Sequence, residues 1–193
     1  IVYMRMAKNY FSLDFESLVF IEDKFKERAL EKRKEIDNGY IRTSTKIILK
    51  KLKEHRQRIT FFVVGELYDW YPEVIEKIYS EGHEIGCHTA THEILNNKET
   101  LLSELEKSKK IVKKFNIKTF RAPKLLFRLK YFPLLKDYGF LYSSSSIAPV
   151  ELSIKNRFIE EFPVTSLRYI KSPPKINFPR RLNLGLLKEE VPF

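Results

Sequence analysis

The stretch Ile59-Thr60-Phe61-Phe62-Val63-Val64-Gly65 anchors the chain in the α/β class. Apolar residues rich in β-branched and aromatic side chains, stopped by a glycine and too few for a core helix, describe a buried strand. Working outward, Pro72 suits the first turn of a helix running through Ser80, and Gly82 stands where that helix should stop. His83 to Cys87 then reads as the next strand. A strand, a helix and a second strand in so short a span form the repeating unit of a parallel sheet.

The same alternation continues on both sides. Upstream, Tyr10 to Leu13 is a short apolar run ending at Asp14. A helix is expected from about Thr43 to His55, where Ile47, Ile48 and Leu52 recur at helical spacing and Thr43 or Ser44 can serve as N-cap. Downstream come an amphipathic helix from Thr100 to Phe115 and a short strand from Thr119 to Arg121, broken by Pro123. A short helix from Tyr131 to Tyr138 is closed by Gly139 and leads to a strand from Phe140 to Ser143. Ile159 to Phe162, stopped by Pro163, is the last strand expected, and Ser172-Pro173-Pro174 and Phe178-Pro179 mark irregular chain. Six strands in order, most with crossover helices, favour a barrel or an open parallel sheet in a single domain over residues 1–193.

Composition narrows the partners. With 43% apolar and 32% charged residues, the chain has the balance of an ordinary globular protein. The formal charge of +11 would suit an anionic partner. Its Lys and Arg are interleaved with Glu from Glu22 to Lys34 and from Glu104 to Lys114, as on solvated helix faces, and no nucleic-acid motif accompanies them. No nucleic-acid partner is therefore expected. The single cysteine, Cys87, excludes an internal disulfide and a thiolate metal cluster; on a strand-like run it is expected to pack in the core. No stretch approaches the ~18 apolar residues of a membrane span. Ile1 to Lys8 is too short and polar for a signal peptide, so the expected compartment is the cytoplasm.

The chemistry concentrates in His83-Glu84-Ile85-Gly86-Cys87-His88-Thr89-Ala90-Thr91-His92, which holds three of the four histidines. His88 and His92 can lie on one face of a helical turn and grip one metal ion; alone, the spacing equally fits two hydrogen-bonded surface histidines. Asp14 and Glu16 flank Phe15, and strand alternation turns both carboxylates to one side. Two neutral imidazoles and one carboxylate make a three-ligand site with an open position, and a second carboxylate held off the metal can take a proton from water. Arg121 beside such a base would keep it ionised. The plain alternatives are a solvated acidic loop and a surface arginine before a turn. Asp14 and Glu16, His88 and His92, and Arg121 are each expected just past the C-terminal end of a different strand, where parallel barrels gather catalytic groups.

From about Tyr10 to Thr165 the chain resembles the polysaccharide deacetylase family, also called the NodB-homology domain or carbohydrate esterase family 4. Phe11-Ser12-Leu13-Asp14-Phe15-Glu16 resembles the first motif, and Thr60 to Gly65 the strand after it. His83 to His92 resembles the second motif, whose core is His-Ser/Thr-x-x-His, and Phe120-Arg121-Ala122-Pro123 the third. Tyr138 to Ser145 and Glu161-Phe162-Pro163-Val164 are similar to later landmarks. The resemblance implies a distorted (β/α)7–8 barrel and metal-dependent removal of acetyl groups from an N-acetylated sugar or glycan. It implies Asp14 as general base, His88 and His92 as ligands, usually of zinc, Arg121 as tether of the base, and the backbone N–H of Lys124 as a donor to the oxyanion. The usual first motif has adjacent aspartates, and Phe15 stands where the second would bind metal. Branches with Asp-x-Glu make Glu16 the third ligand, and that type includes metal-free enzymes. The family's last motif supplies a histidine as general acid, and none follows His92 here. A C-terminally shortened barrel is the expectation, with two alternatives: a glycan-binding scaffold without turnover, or a metal-free amidohydrolase.

Overall fold

The structure, a computed structural model, describes residues 10–21, 25, 30–148, 154–155, 157–167 and 182–183. Six strands run parallel, in chain order, across one sheet: β1 (Ser12–Phe15), β2 (Thr60–Val63), β3 (Glu84–Cys87), β4 (Thr119–Phe120), β5 (Tyr142–Ser143) and β8 (Glu160–Glu161). They are the six expected from sequence. β7 (Ile154–Lys155) adds an antiparallel edge beyond β8. Three further short strands went unforeseen: β6 (Ile147–Ala148), β9 (Val164–Leu167) and β10 (Leu182–Asn183) make a small second sheet in the order β10-β9-β6. Glu160–Glu161 is thus not the last strand. The proline-marked segments at 172–174 and 178–179 lie outside the described residues. The order from β1 to β7 is open, so the described residues build part of a barrel wall, as six parallel strands are too few to close one.

Helices cover the outside: α1 (Leu18–Ile21), α2 (Leu30–Asp37), α3 (Tyr40–Glu54), α4 (Gly65–Trp70), α5 (Pro72–Ser80), α6 (Lys98–Lys114) and α7 (Phe132–Asp137). α3 starts earlier than the apolar spacing suggested. Gly39, at φ +77°, makes the entry, and Thr43 sits inside the helix with its hydroxyl on the Gly39 carbonyl rather than at the N-cap. α6 also starts earlier, where the Asn97 side chain accepts from the Thr100 N–H at 2.8 Å. α4 is a helix of six residues that propensity did not announce. Its Leu67 and Trp70 are drawn into the core, and Trp70 stacks on Phe20 at 5.2 Å.

Strand register sorts the side chains into two faces. Phe15, Val63, Cys87, Phe120, Ser143 and Glu161 share one row across the sheet, each 0–3% exposed, and this row faces the helices. Phe61, Leu67, Ile75, Ile78, Leu101 and Leu105 complete the core. The neighbouring row, Asp14, Phe62 and Gly86, turns to the opposite, concave face. One residue beyond Phe120 and Cys87, alternation puts Arg121 and His88 on that same face. The six strands therefore present their chemistry from the inside of the wall, at their C-terminal ends.

Candidate metal and catalytic site

Asp14 lies within β1 and not after it, because the strand extends two residues further than its apolar run; Glu16 is the first residue past its end. Arg121 crosses the concave face to Asp14, where Nη1 donates to Oδ1 at 2.6 Å. Four of the five guanidinium N–H groups are committed: besides the bond to Asp14, Nη2 donates to Ser12 Oγ and Ser144 Oγ at 2.8 Å each, and Nε donates to the Ser144 carbonyl at 3.0 Å. Its plane sits 4.0 Å from the centre of the Phe62 ring. A side chain with no rotational freedom, only 4% exposed, thus holds one oxygen of Asp14.

His88 and His92 do not lie on a helical turn. Residues 88–97 are irregular, with Thr89 at φ +63° and His92 at φ +61°. The tight loop, stitched by a hydrogen bond from the His92 N–H to Thr89 Oγ1 at 3.1 Å, brings the two rings to 5.0 Å instead. The β2–α4 turn clamps this loop: the Gly65 N–H donates to the Thr89 carbonyl and the Glu66 N–H to the Ala90 carbonyl, both at 2.9 Å. Gly65 allows this close approach, since a Cβ would stand 3.1 Å from Ala90 Cα, tighter than ordinary van der Waals contact. From the other side Glu104 of α6 accepts from the Ala90 and Thr91 N–H groups.

The His88 ring is oriented by its backbone surroundings. Nδ1 is 2.8 Å from the Arg121 carbonyl, which can only accept, so the proton sits on Nδ1 and Nε2 carries the free lone pair. Burial pushes the His88 pKa below its ordinary value, opposed by the charge of Asp14, so the imidazole stays neutral as a ligand must. Its buried Nε2 has no hydrogen-bond partner among the described residues. Glu16 Oε2 is in the same position, although it lies 2.7 Å from His92 Nε2: that contact has the distance of an ion pair without the direction of a hydrogen bond. Side chains that approach so closely without aiming at each other are aimed at a common point. One ligand atom from each of Glu16, His88 and His92 lies within 4.8 Å of the other two. Two imidazoles and a carboxylate, buried and otherwise unsatisfied, fit a divalent ion with an open position.

Lys124 also has a left-handed backbone, at φ +54°, in the tight turn Pro123–Leu125 just after β4, with its side chain exposed. The third histidine of the motif is a core residue: His83 Nδ1 accepts from the Ile59 N–H at 3.3 Å. Cys87 is buried against the helices, its thiol pushed up to about 11 by desolvation, and has no part in the site. Sequence reading missed the supports, namely Ser12 and Ser144 around Arg121, Phe62 beneath it, and Glu104 behind the histidine loop. A signal existed for Glu104, a carboxylate on the same helical stripe as Leu101, Leu105 and Ser108, all buried.

Comparison with known proteins gives the chain its family. The polysaccharide deacetylase family model matches residues 35–143, which include β2 to β5, His88, His92 and Arg121 but not Asp14 or Glu16. Peptidoglycan-N-acetylmuramic acid deacetylase PdaA of Bacillus subtilis is 33% identical over 127 residues, 63% of this chain and 48% of that protein. A peptidoglycan-N-acetylglucosamine deacetylase of Bacillus cereus is 43% identical over 56 residues, 29% of this chain and 20% of that one. The chain thus aligns with half or less of the length of these curated relatives. A crystal structure from Mycobacterium smegmatis assigned to the polysaccharide deacetylases superposes with a TM-score of 0.67 at 24% identity, over 81% of this chain and 58% of that one, and shares its fold. With the family model covering more than half of its residues, the chain belongs to the polysaccharide deacetylase family.

Proposed function

We propose that the chain carries a metal-dependent site that hydrolyses the N-acetyl, or a similar short acyl, group of an amino sugar within a glycan. The observation that supports it most is the convergence of Glu16, His88 and His92 beside an Asp14 pinned by Arg121. Glu16, His88 and His92 would hold the ion, zinc being the best match to two imidazoles and a carboxylate. Bound there, it would polarise the acyl carbonyl and lower the pKa of water.

The remaining steps belong to the chain's own side chains. Asp14 takes the proton of the attacking water, and Arg121 holds it turned into the site. The left-handed turn at Lys124 makes its N–H the candidate donor to the developing oxyanion. Water adds to the acyl carbon, the carbon–nitrogen bond breaks, and acetate and the free amine leave. The names of the matched relatives point to bacterial cell-wall glycan as the substrate class.

A second reading, a barrel that binds glycan without turnover, is favoured by Phe15 standing where the usual first motif has its metal-binding aspartate. Acetate release from N-acetylglucosamine oligomers and solubilised peptidoglycan, with added zinc and again with chelator, separates the readings. Zinc-dependent release abolished by Asp14→Asn is the expected result. Glycan binding without release would establish the scaffold, and release that survives chelation would establish a metal-free hydrolase.

A further inference from the structure

We propose that Glu104 is the positioning residue for the ligand pair His88 and His92, an inference that rests on the metal-binding reading above. The loop between the histidines is intrinsically unfavourable. Thr89 and His92 both occupy the left-handed region, which is sterically unfavourable for a residue that bears a side chain. Such a loop persists only where its surroundings hold it. The Gly65 and Glu66 amides fix its carbonyls, and its Ala90 and Thr91 amides need an acceptor where they meet α6. Glu104, 1% exposed, supplies it: Oε2 accepts from the Ala90 N–H at 3.0 Å and the Thr91 N–H at 2.8 Å, and Oε1 accepts from Thr91 Oγ1 at 2.9 Å.

The chemistry of the acceptor is specific. Two amides converge on one oxygen and a hydroxyl meets the other, so the group must be planar, offer one oxygen to both amides and a second polar atom to the hydroxyl, and be long enough to reach from the helix axis. Lys107 Nζ, 3.2 Å from Oε1, balances the charge at the edge where the site meets solvent. α6 makes the support rigid, because the same helix face buries Leu101, Leu105 and Ser108. Moving Glu104 therefore moves Ala90 and Thr91, and with them the angle between the rings that flank them. Glu104 lies outside the metal's own ligand set; it acts through the loop.

Two substitutions separate reach from charge. Glu104→Gln keeps the length and offers an oxygen to both amides, whereas Glu104→Asp keeps the charge and falls about one methylene short. Zinc dissociation constants, measured by isothermal titration on the full chain, are expected to rise about 10- to 100-fold in Glu104→Asp and to stay within roughly threefold of the parent in Glu104→Gln. Amide hydrogen exchange at Ala90 and Thr91 in the metal-free protein should accelerate in the first and not in the second. If Glu104→Asp does not fold, Thr91→Val removes one donor and carries the test, with a several-fold weaker zinc affinity expected. The idea is overturned if zinc affinity is unchanged in the folded Asp or Val variant, or if Gln is worse than Asp. A parent chain that binds no zinc would sink the metal reading alone. In that case unchanged exchange at Ala90 and Thr91 in Glu104→Asp would sink this one too, and faster exchange would uphold the brace.

Discussion

Arg121 and Asp14, 107 positions apart in sequence, meet through a 2.6 Å hydrogen bond on the concave face of the sheet. Three other acceptors, Ser12 Oγ, Ser144 Oγ and the Ser144 carbonyl, fix the same guanidinium, so the carboxylate is held by a group that cannot itself turn away. Lysine can reach one of these acceptors but cannot fork to all. Arg121→Lys is expected to lower kcat for acetate release by about 10²-fold or more while leaving zinc content unchanged, since the His88 ring is held by the backbone carbonyl of residue 121 and not by its side chain. Loss of zinc in parallel with activity would show that the arginine supports the ligands instead.

Phe62 is the floor under Arg121, and Gly86 is what lets it lie there. A Cβ on Gly86 would stand 2.6 Å from Phe62 Cδ1 and 2.9 Å from Thr119 Oγ1. Gly86→Ala should therefore overpack the concave face, with a cost of about 1–3 kcal/mol in urea unfolding. It should also reduce activity in the fraction that remains folded, because the ring cannot shift without moving the guanidinium 4.0 Å above it. Full activity in the folded fraction would separate Phe62 from the site.

Metal binding should register in stability. Two buried imidazoles and a half-buried carboxylate that satisfy one another poorly without an ion gain partners with one, and a ligand at about 100 times its dissociation constant adds roughly 2.7 kcal/mol. A zinc-dependent rise in Tm is expected in the parent and is expected to vanish in His88→Ala and His92→Ala. A rise that persists in both variants would place the ion elsewhere.

His83 predicts an acid limb of stability that is independent of the site. Burial lowers its folded pKa below 6.5, and its Nδ1 must stay unprotonated to accept from the Ile59 N–H. As pH falls through about 6.5 the unfolded chain takes up a proton before the folded one does, so the contribution is complete above that pH and is lost below it. Buried His88 acts with the same sign in the metal-free protein. Denaturant unfolding from about pH 7.5 to 5 should show stability falling with acidification, with a shallower slope in His83→Leu. An unchanged slope would mean that His83 titrates normally.

Cys87, with its thiol pushed up to about 11 and its side chain buried, should not react with a thiol reagent near pH 8 until the chain unfolds. Rapid labelling of the native protein would contradict its place in the core.

The strand order and the faces of the strands were legible in the chain itself. Apolar runs such as 59–64, the glycines at 82 and 139 and the proline at 72 impose local geometry by sterics and burial, and those forces act over a few residues. Alternation alone then turned Asp14 away from Phe15 and set Arg121 opposite Phe120. Tertiary structure decided the rest, because the deciding partners are remote in sequence. Helical periodicity at 88–92 is overridden by clamps from residues 65, 66 and 104, so His88 and His92 meet through two left-handed residues rather than across a helical turn. Glu16, one residue past β1 and named as third ligand on the family resemblance alone, comes within 2.7 Å of His92 only because the sheet carries it there. Which hydrogen bonds a loop can make depends on what is packed behind it, and no local pattern records that.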